Sequence, residues 1–271
     1  LFPIISLSVA VILFEGALTL KLSELKEIGT TVRNLVTIGA LITWVITSVI
    51  AHLAIGFGYD MAFLFGAMVV VTGPTVIVPM LRTVRPVKRV ADILRWEGII
   101  IDPIGALLAV LAFDFYMASQ SSDVFIDILG LFLKVVGIGA GIGIIFGFGL
   151  SHILRKHWLP EYLRSPFTLL MVFVAFALSE TMLHESGLLA VTIFGMIVAN
   201  QRGVDVDDIL DFKESLSLLL ISGLFIVLAA RIDLAGFVAV GWTSMLVVAG
   251  IILIARPISV FVSSIGSDLS L

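Results

Sequence analysis

Long apolar stretches alternate along the chain with short polar segments. A membrane-spanning helix needs about 20 mainly apolar residues, and about nine stretches approach or exceed that length. They cover 1–20, 34–57, 60–83, 92–117, 124–153, 165–180, 184–200, 214–232 and 236–264. Two longer polar segments, 21–33 and 201–213, interrupt the series. The pattern predicts an all-α polytopic membrane protein with a single transmembrane domain over residues 1–271.

The composition excludes several other classes of protein. Hydrophobic residues make up 60% of the chain and charged residues 13%, which is too apolar for a soluble domain or a disordered segment. The absence of cysteine excludes disulfides, zinc–thiolate sites and cysteine nucleophiles. A net charge of −4 argues against nucleic acid as a partner. Because Leu1 and Leu271 lie in or close to apolar stretches, we expect a piece of a longer protein, incomplete at both ends.

The charged residues of the loops predict an orientation in the membrane. Most of the 16 lysine and arginine residues follow the first, third, fifth and seventh apolar stretches. Loops rich in these residues stay in the cytoplasm. We therefore expect a multi-pass protein of the cell membrane, with its Leu1 end outside and its Leu271 end in the cytoplasm.

Four ionisable residues lie deep within predicted spans: Glu15, Glu97, Asp102 and Arg256. Such a residue costs roughly 2.5–3.5 kcal/mol at the centre of a membrane helix, so each one is a candidate for a functional role. A buried acid and a buried base are better paired than apart, which predicts an ion pair between Glu97 and Arg256. That pair is either architectural or part of the mechanism. Glu15 lines a cavity or makes a packing contact, and the packing contact is favoured.

Asp102 is the sharpest functional candidate. On a helix it shares one face with Gly98 and Gly105, so another backbone can approach its carboxylate closely. Pro103 has no N–H group and leaves the carbonyl of Ile99 without a helical donor. A carboxylate beside a free carbonyl is a plausible ligand set for a hard cation. The alternative is a structural carboxylate that is hydrogen-bonded to a neighbouring helix.

A second polar motif interrupts the third apolar stretch, where the sequence reads Thr72-Gly73-Pro74-Thr75. Glycine followed by proline in mid-span predicts a broken helix, because proline cannot donate and restricts the residue before it. Broken helices mark binding sites in secondary transporters. The hydroxyls of Thr72 and Thr75 and the backbone at Gly73 are therefore candidate cation ligands. A simple proline kink is the alternative.

Glycines crowd the fifth apolar stretch. The pairs Gly137–Gly141 and Gly143–Gly147 have the spacing of small residues at close helix contacts. They predict tight packing against another helix rather than a nucleotide-binding loop.

These motifs together resemble the monovalent cation:proton antiporters of the NhaP-type and NHE-like branch. Residues 72–75 resemble the family's Thr-Asp-Pro-Thr motif, and residues 97–102 resemble its Glu-Ser-x-x-Asn-Asp motif. Further similar segments are 14–18, 186–200, 222–230 and 256–257. The resemblance runs in order over nearly the whole chain.

The resemblance implies a scaffold of about thirteen helices built from inverted repeats, with two helices missing before Leu1 and two after Leu271. It implies a homodimer that exchanges Na⁺, K⁺ or Li⁺ for protons in pH homeostasis, without a cofactor. Ile101 stands where the family has Asn or a second Asp, which favours a single titrating carboxylate. Gly73 and Gly98 replace polar residues of the family motifs, so the choice between sodium and potassium stays open.

Cation:proton exchange by competition at Asp102 is our leading hypothesis. A K⁺/H⁺ antiporter with the same site and a cation channel are the alternatives. An intramembrane aspartyl protease needs two carboxylates at one peptide bond, and Asp102 has no deep aspartate partner in the sequence, so we do not expect an enzyme. A bare membrane scaffold leaves the deep charges unexplained.

Overall fold

The computed structural model describes residues 2–117, 124–204, 207–232 and 234–265. In these residues the chain forms helices joined by short connections. The helices are α1 (Phe2–Leu18), α2 (Leu25–Asn34), α3 (Ala40–Ile55), α4 (Tyr59–Val69), α5 (Pro74–Val84), α6 (Lys88–Met117), α7 (Val124–Arg155), α8 (Glu161–Met182), α9 (Ser186–Ala199), α10 (Asp207–Ala230), α11 (Leu234–Gly250) and α12 (Arg256–Ser264). Two π-helical turns, Leu35–Gly39 and Ile251–Ala255, lead into α3 and α12.

Several of these helices have the length and apolar character of membrane spans. Five helical stretches of the described residues qualify, and α4 with α5 forms a bent pair that passes the same test. Three shorter apolar helices are also present, and each of the nine apolar stretches predicted from the sequence overlaps one of these helices or the bent pair. The five are Leu25–Ile55, Lys88–Met117, Leu129–Arg155, Glu161–Met182 and Gly241–Ser264, and the shorter ones are Pro3–Leu18, Ser186–Ala199 and Leu219–Ala230. The all-α polytopic class is confirmed, and the count of nine spans stays a prediction.

Most of the polar segment 21–33 is helical. α2 begins at Leu25 and continues through the π-helical turn into α3. Its apolar side chains, Ile28 and Val32, are buried while its charged residues lie on the other side. An amphipathic segment of this kind forms a helix by burying its apolar face, although most of its residues are polar.

The described residues fall into two compact units. The first comprises Leu1–Glu24 and Leu129–Ala230. Its core lies between α1 and α9, where the rings of Phe14 and Phe194 are 4.7 Å apart. Gly195 permits this contact, since a β-carbon built there would lie 2.6 Å from the backbone oxygen of Phe14.

Glycines of α7 pack against α9 in the same unit, but in a different register from the predicted one. β-carbons built at Gly139, Gly143 and Gly147 would lie within 3.0 Å of atoms of α9. Those built at Gly137 and Gly141 would meet nothing within 4 Å among the described residues. The prediction of close packing is therefore right for Gly143–Gly147 and wrong for Gly137–Gly141, because the helix turns the row of Gly139 toward α9.

The second unit comprises Leu25–Ile128 and Arg231–Leu271. A polar seam holds α12 against the first π-helical turn, where Ser259 Oγ donates to the Gly39 oxygen at 2.8 Å. α6 packs against α4 and α5, so this unit carries both sequence motifs. The prediction of one transmembrane domain over 1–271 stays a prediction, and Leu1 and Leu271 lie outside the described residues.

Candidate functional site

The third apolar stretch is broken, as the sequence predicts. α4 ends at Val69, α5 begins at Pro74, and their axes are bent by 46°. Gly73 has an extended conformation, with φ −56° and ψ 147°, which is the region that a following proline favours. Residues 71–73 are therefore non-helical backbone between two half-helices.

Proline chemistry also explains where one freed carbonyl goes. The Val70 oxygen would accept from the N–H four residues later, but that residue is Pro74 and has none. The Arg256 Nη2 group approaches this oxygen at 3.5 Å instead. Sequence reasoning missed Val70 as part of the site, although the proline four residues downstream was the available signal.

α6 presents its small face to this break. A β-carbon built at Gly98 would lie 3.0 Å from the backbone oxygen of Thr72, and one built at Gly105 would overlap the side chain of Val71. Between these positions, Asp102 Oδ1 lies 3.3 Å from the β-carbon position of Gly73. The two glycines of α6 thus let the broken backbone approach the Asp102 carboxylate.

Glu97 and Arg256 form an ion pair that also involves the broken helix. Glu97 Oε1 accepts hydrogen bonds from Arg256 Nη1 at 3.2 Å and from Thr72 Oγ1 at 2.9 Å. The Glu97 side chain is only 7% exposed, and that of Arg256 is 27% exposed. The arginine therefore ties α12 to α6 and, through Val70, to the broken helix.

The two threonines of the motif have different surroundings. Thr72 directs its hydroxyl hydrogen to Glu97, which leaves only its oxygen lone pairs and its backbone carbonyl for a cation. The Thr75 hydroxyl oxygen lies 3.5 Å from the β-carbon position of Gly73, a position that is also 3.3 Å from Asp102 Oδ1. The structure thus brings Asp102, Gly73 and Thr75 to one place.

Glu15 belongs to the first unit. The hydroxyl of the buried Ser217 donates to Glu15 Oε2, which joins α1 to α10. The carboxylate therefore lies at a contact between two helices.

A helix broken beside a half-buried carboxylate, in an all-helical membrane protein, is typical of the secondary transporters. The sequence model of one family in that class, described as the transmembrane sodium/hydrogen exchanger, matches residues 4–271. The chain belongs to the sodium/hydrogen exchanger family. This is a family of transporters, which confirms the resemblance and the expectation that the chain is not an enzyme.

Individual relatives agree with this assignment. The chain is 31% identical over 263 residues to Na(+)/H(+) antiporter 1 of Methanocaldococcus jannaschii, which covers 94% of this chain and 62% of that protein. It is 24% identical to the K(+)/H(+) antiporter NhaP2 of a Shewanella species, covering 95% of this chain and 45% of that one. The solved structure of the sodium proton antiporter MjNhaP1 from Methanocaldococcus jannaschii at pH 8 is similar with a TM-score of 0.81 and 30% identity, over 99% of this chain and 68% of that one. The chain spans less than two thirds of the length of the first of these relatives.

Proposed function

We propose that the full-length protein exchanges a monovalent cation, with Na⁺ as the first candidate, for protons by competition at Asp102. The observation that carries the proposal is the approach of the Asp102 carboxylate to the broken helix, where Asp102 Oδ1 lies 3.3 Å from the β-carbon position of Gly73. An acidic group costs free energy at this depth unless it serves a ligand or has a partner. Broken backbone provides oxygen ligands in just such places.

In this mechanism of exchange, the Asp102 carboxylate binds either a cation or a proton, but not both at once. Ionised Asp102 binds a cation together with oxygens of the break, from Thr72, Thr75 and the backbone at Gly73. Protonated Asp102 has lost its charge and releases the cation. One site then carries either ion, and alternating access moves that ion across the membrane.

Glu97 and Arg256 have a supporting role in this proposal. Their ion pair holds the non-helical segment against α6 through the Thr72 hydroxyl and the Val70 carbonyl. We assign Glu15 to helix packing rather than to the cation path, because its carboxylate accepts a hydrogen bond from Ser217.

Potassium is the second candidate for the transported cation. A K(+)/H(+) antiporter is among the proteins similar to this chain, and the same carboxylate and hydroxyl oxygens can bind either ion. The bias of basic residues supports a cell-membrane protein with its Leu1 end outside and its Leu271 end in the cytoplasm. We further propose a homodimer in pH homeostasis, on the strength of the family resemblance.

The test is reconstitution of the full-length protein in liposomes that contain a pH-sensitive dye. Addition of Na⁺, K⁺ or Li⁺ is expected to drive proton flux in the wild type and in Asp60→Asn, an exposed carboxylate at the first turn of α4. The flux should vanish in Asp102→Asn. Unchanged exchange in Asp102→Asn would refute the proposal, and cation current without proton flux would favour the channel instead.

A further inference from the structure

Gly73 borders a small volume that two oxygen atoms share. A β-carbon built at Gly73 would lie 3.3 Å from Asp102 Oδ1 and 3.5 Å from Thr75 Oγ1. The carboxylate and the hydroxyl therefore both border the space that a β-carbon at this position would fill. We call this space the Gly73 gap.

Backbone conformation does not require glycine at this position. Its φ of −56° and ψ of 147° are accessible to any residue, unlike the positive φ of Gly56, Gly203 and Gly241. Close helix packing does not require it either. At Gly98 the added β-carbon would press on a backbone oxygen, whereas at Gly73 the nearest atoms are oxygens of two side chains. What glycine provides here is space beside Asp102.

We propose that Gly73 is a specificity-determining residue that keeps this gap open, so that the site accepts K⁺ and Rb⁺ as well as Na⁺ and Li⁺. This inference rests on the proposed function. A small cation can be held close to Asp102 without using the gap. A larger cation needs the additional volume and the Thr75 hydroxyl as a further ligand. Selection among cations by cavity size and ligand number is general in ion-binding sites.

The hydroxyl that can bind a cation in the Gly73 gap is that of Thr75 and not that of Thr72. Thr72 Oγ1 donates to Glu97, so its hydrogen is directed away from the gap. The Thr75 oxygen lies beside the gap and can accept a cation through its lone pairs. The volume of the gap therefore depends on position 73 and its hydroxyl ligand on position 75, so the two positions can be tested separately.

The experiment compares cations in liposomes containing the full-length protein, with dye-detected proton flux driven by Li⁺, Na⁺, K⁺ or Rb⁺. Gly73→Ala is expected to raise the half-saturating K⁺ concentration, relative to that of Li⁺, by roughly tenfold or more, the usual effect of one methyl group in a binding pocket. Gly149→Ala is the matched control, since a β-carbon built there meets nothing within 4 Å among the described residues. For this control, the ratio of the half-saturating K⁺ concentration to the half-saturating Li⁺ concentration should equal that of the wild type.

A second variant keeps the inference testable if Gly73→Ala does not fold or transport. Thr75→Val removes the hydroxyl at nearly constant shape. It should raise the half-saturating concentration of K⁺ more than that of Li⁺, and Thr75→Ser should restore the wild-type values. An unchanged ratio in Thr75→Val, or in an active Gly73→Ala, overturns the inference while the proposed function stands. Wild-type protein that shows no proton flux with any cation overturns both.

Discussion

Loss of the Arg256 guanidinium is expected to destabilise the protein strongly. In Arg256→Met the apolar stem of the side chain is kept, but Glu97 Oε1 loses its contact with the guanidinium at 3.2 Å. The Val70 oxygen also loses its donor. The carboxylate is then a buried charge whose described hydrogen bond is the one from Thr72.

The size of the effect follows from the exposure of the two side chains. Removing one partner of a buried ion pair costs about 3–5 kcal/mol, and the 27% exposure of Arg256 places this pair at the lower end, near 3 kcal/mol. Glu97→Gln in the same protein removes the unpaired charge and keeps an acceptor for Thr72. The double variant should therefore recover about 2 kcal/mol of the loss.

The assay is reversible unfolding in mixed micelles, followed by tryptophan fluorescence, for the four proteins of the double-mutant cycle. Trp96 is buried next to Glu97 and reports on this region. Arg33→Met, at an exposed position in the last turn of α2, is the control and should change stability by less than about 0.5 kcal/mol. Additive effects in the cycle, or an Arg256→Met variant as stable as the control, would refute the assignment of this pair.

Two further predictions concern the first unit. Gly195→Ala should lower stability by about 1–3 kcal/mol, because its methyl group would press on the Phe14 backbone, whereas Gly149→Ala should be neutral or slightly stabilising; equal melting temperatures would contradict this. Burial raises the pKa of Glu185 above its usual 4.5, and the Glu180 carboxylate adds to the rise. The stabilising contribution of Glu185 is complete below pH 4.5 and is lost as the pH rises through the raised pKa. The melting temperature of Glu185→Gln should therefore rise relative to that of the wild type across that pH range. A difference that is constant with pH would count against this explanation.

Local covalent chemistry made the broken helix predictable from the sequence. Pro74 lacks an N–H group and restricts Gly73 whatever surrounds them. The meeting of Glu97 with Arg256 was predictable for a different reason, since deep acids and bases have few ways to avoid an unpaired charge. The small face around Asp102 followed from helical spacing alone.

Features that depend on helix rotation and rotamers were not predictable. Sequence spacing offers Gly137 and Gly139 equally as packing positions in α7, and the residues of α9 decide between them. Likewise, nothing in the motif tells that Thr72 turns its hydroxyl to Glu97 while Thr75 lies beside Asp102. The two π-helical turns were missed as well, because a π-turn has no periodic signature in so apolar a sequence.

In the proposed mechanism, one cation and one proton compete for Asp102. The most direct test is the half-saturating Na⁺ concentration for transport by the full-length protein, measured at a series of pH values that are equal on both sides of the membrane. Competition at a single carboxylate predicts that, at acidic pH, this concentration rises about tenfold for each unit by which the pH falls. A half-saturating Na⁺ concentration that does not change with pH would contradict the account.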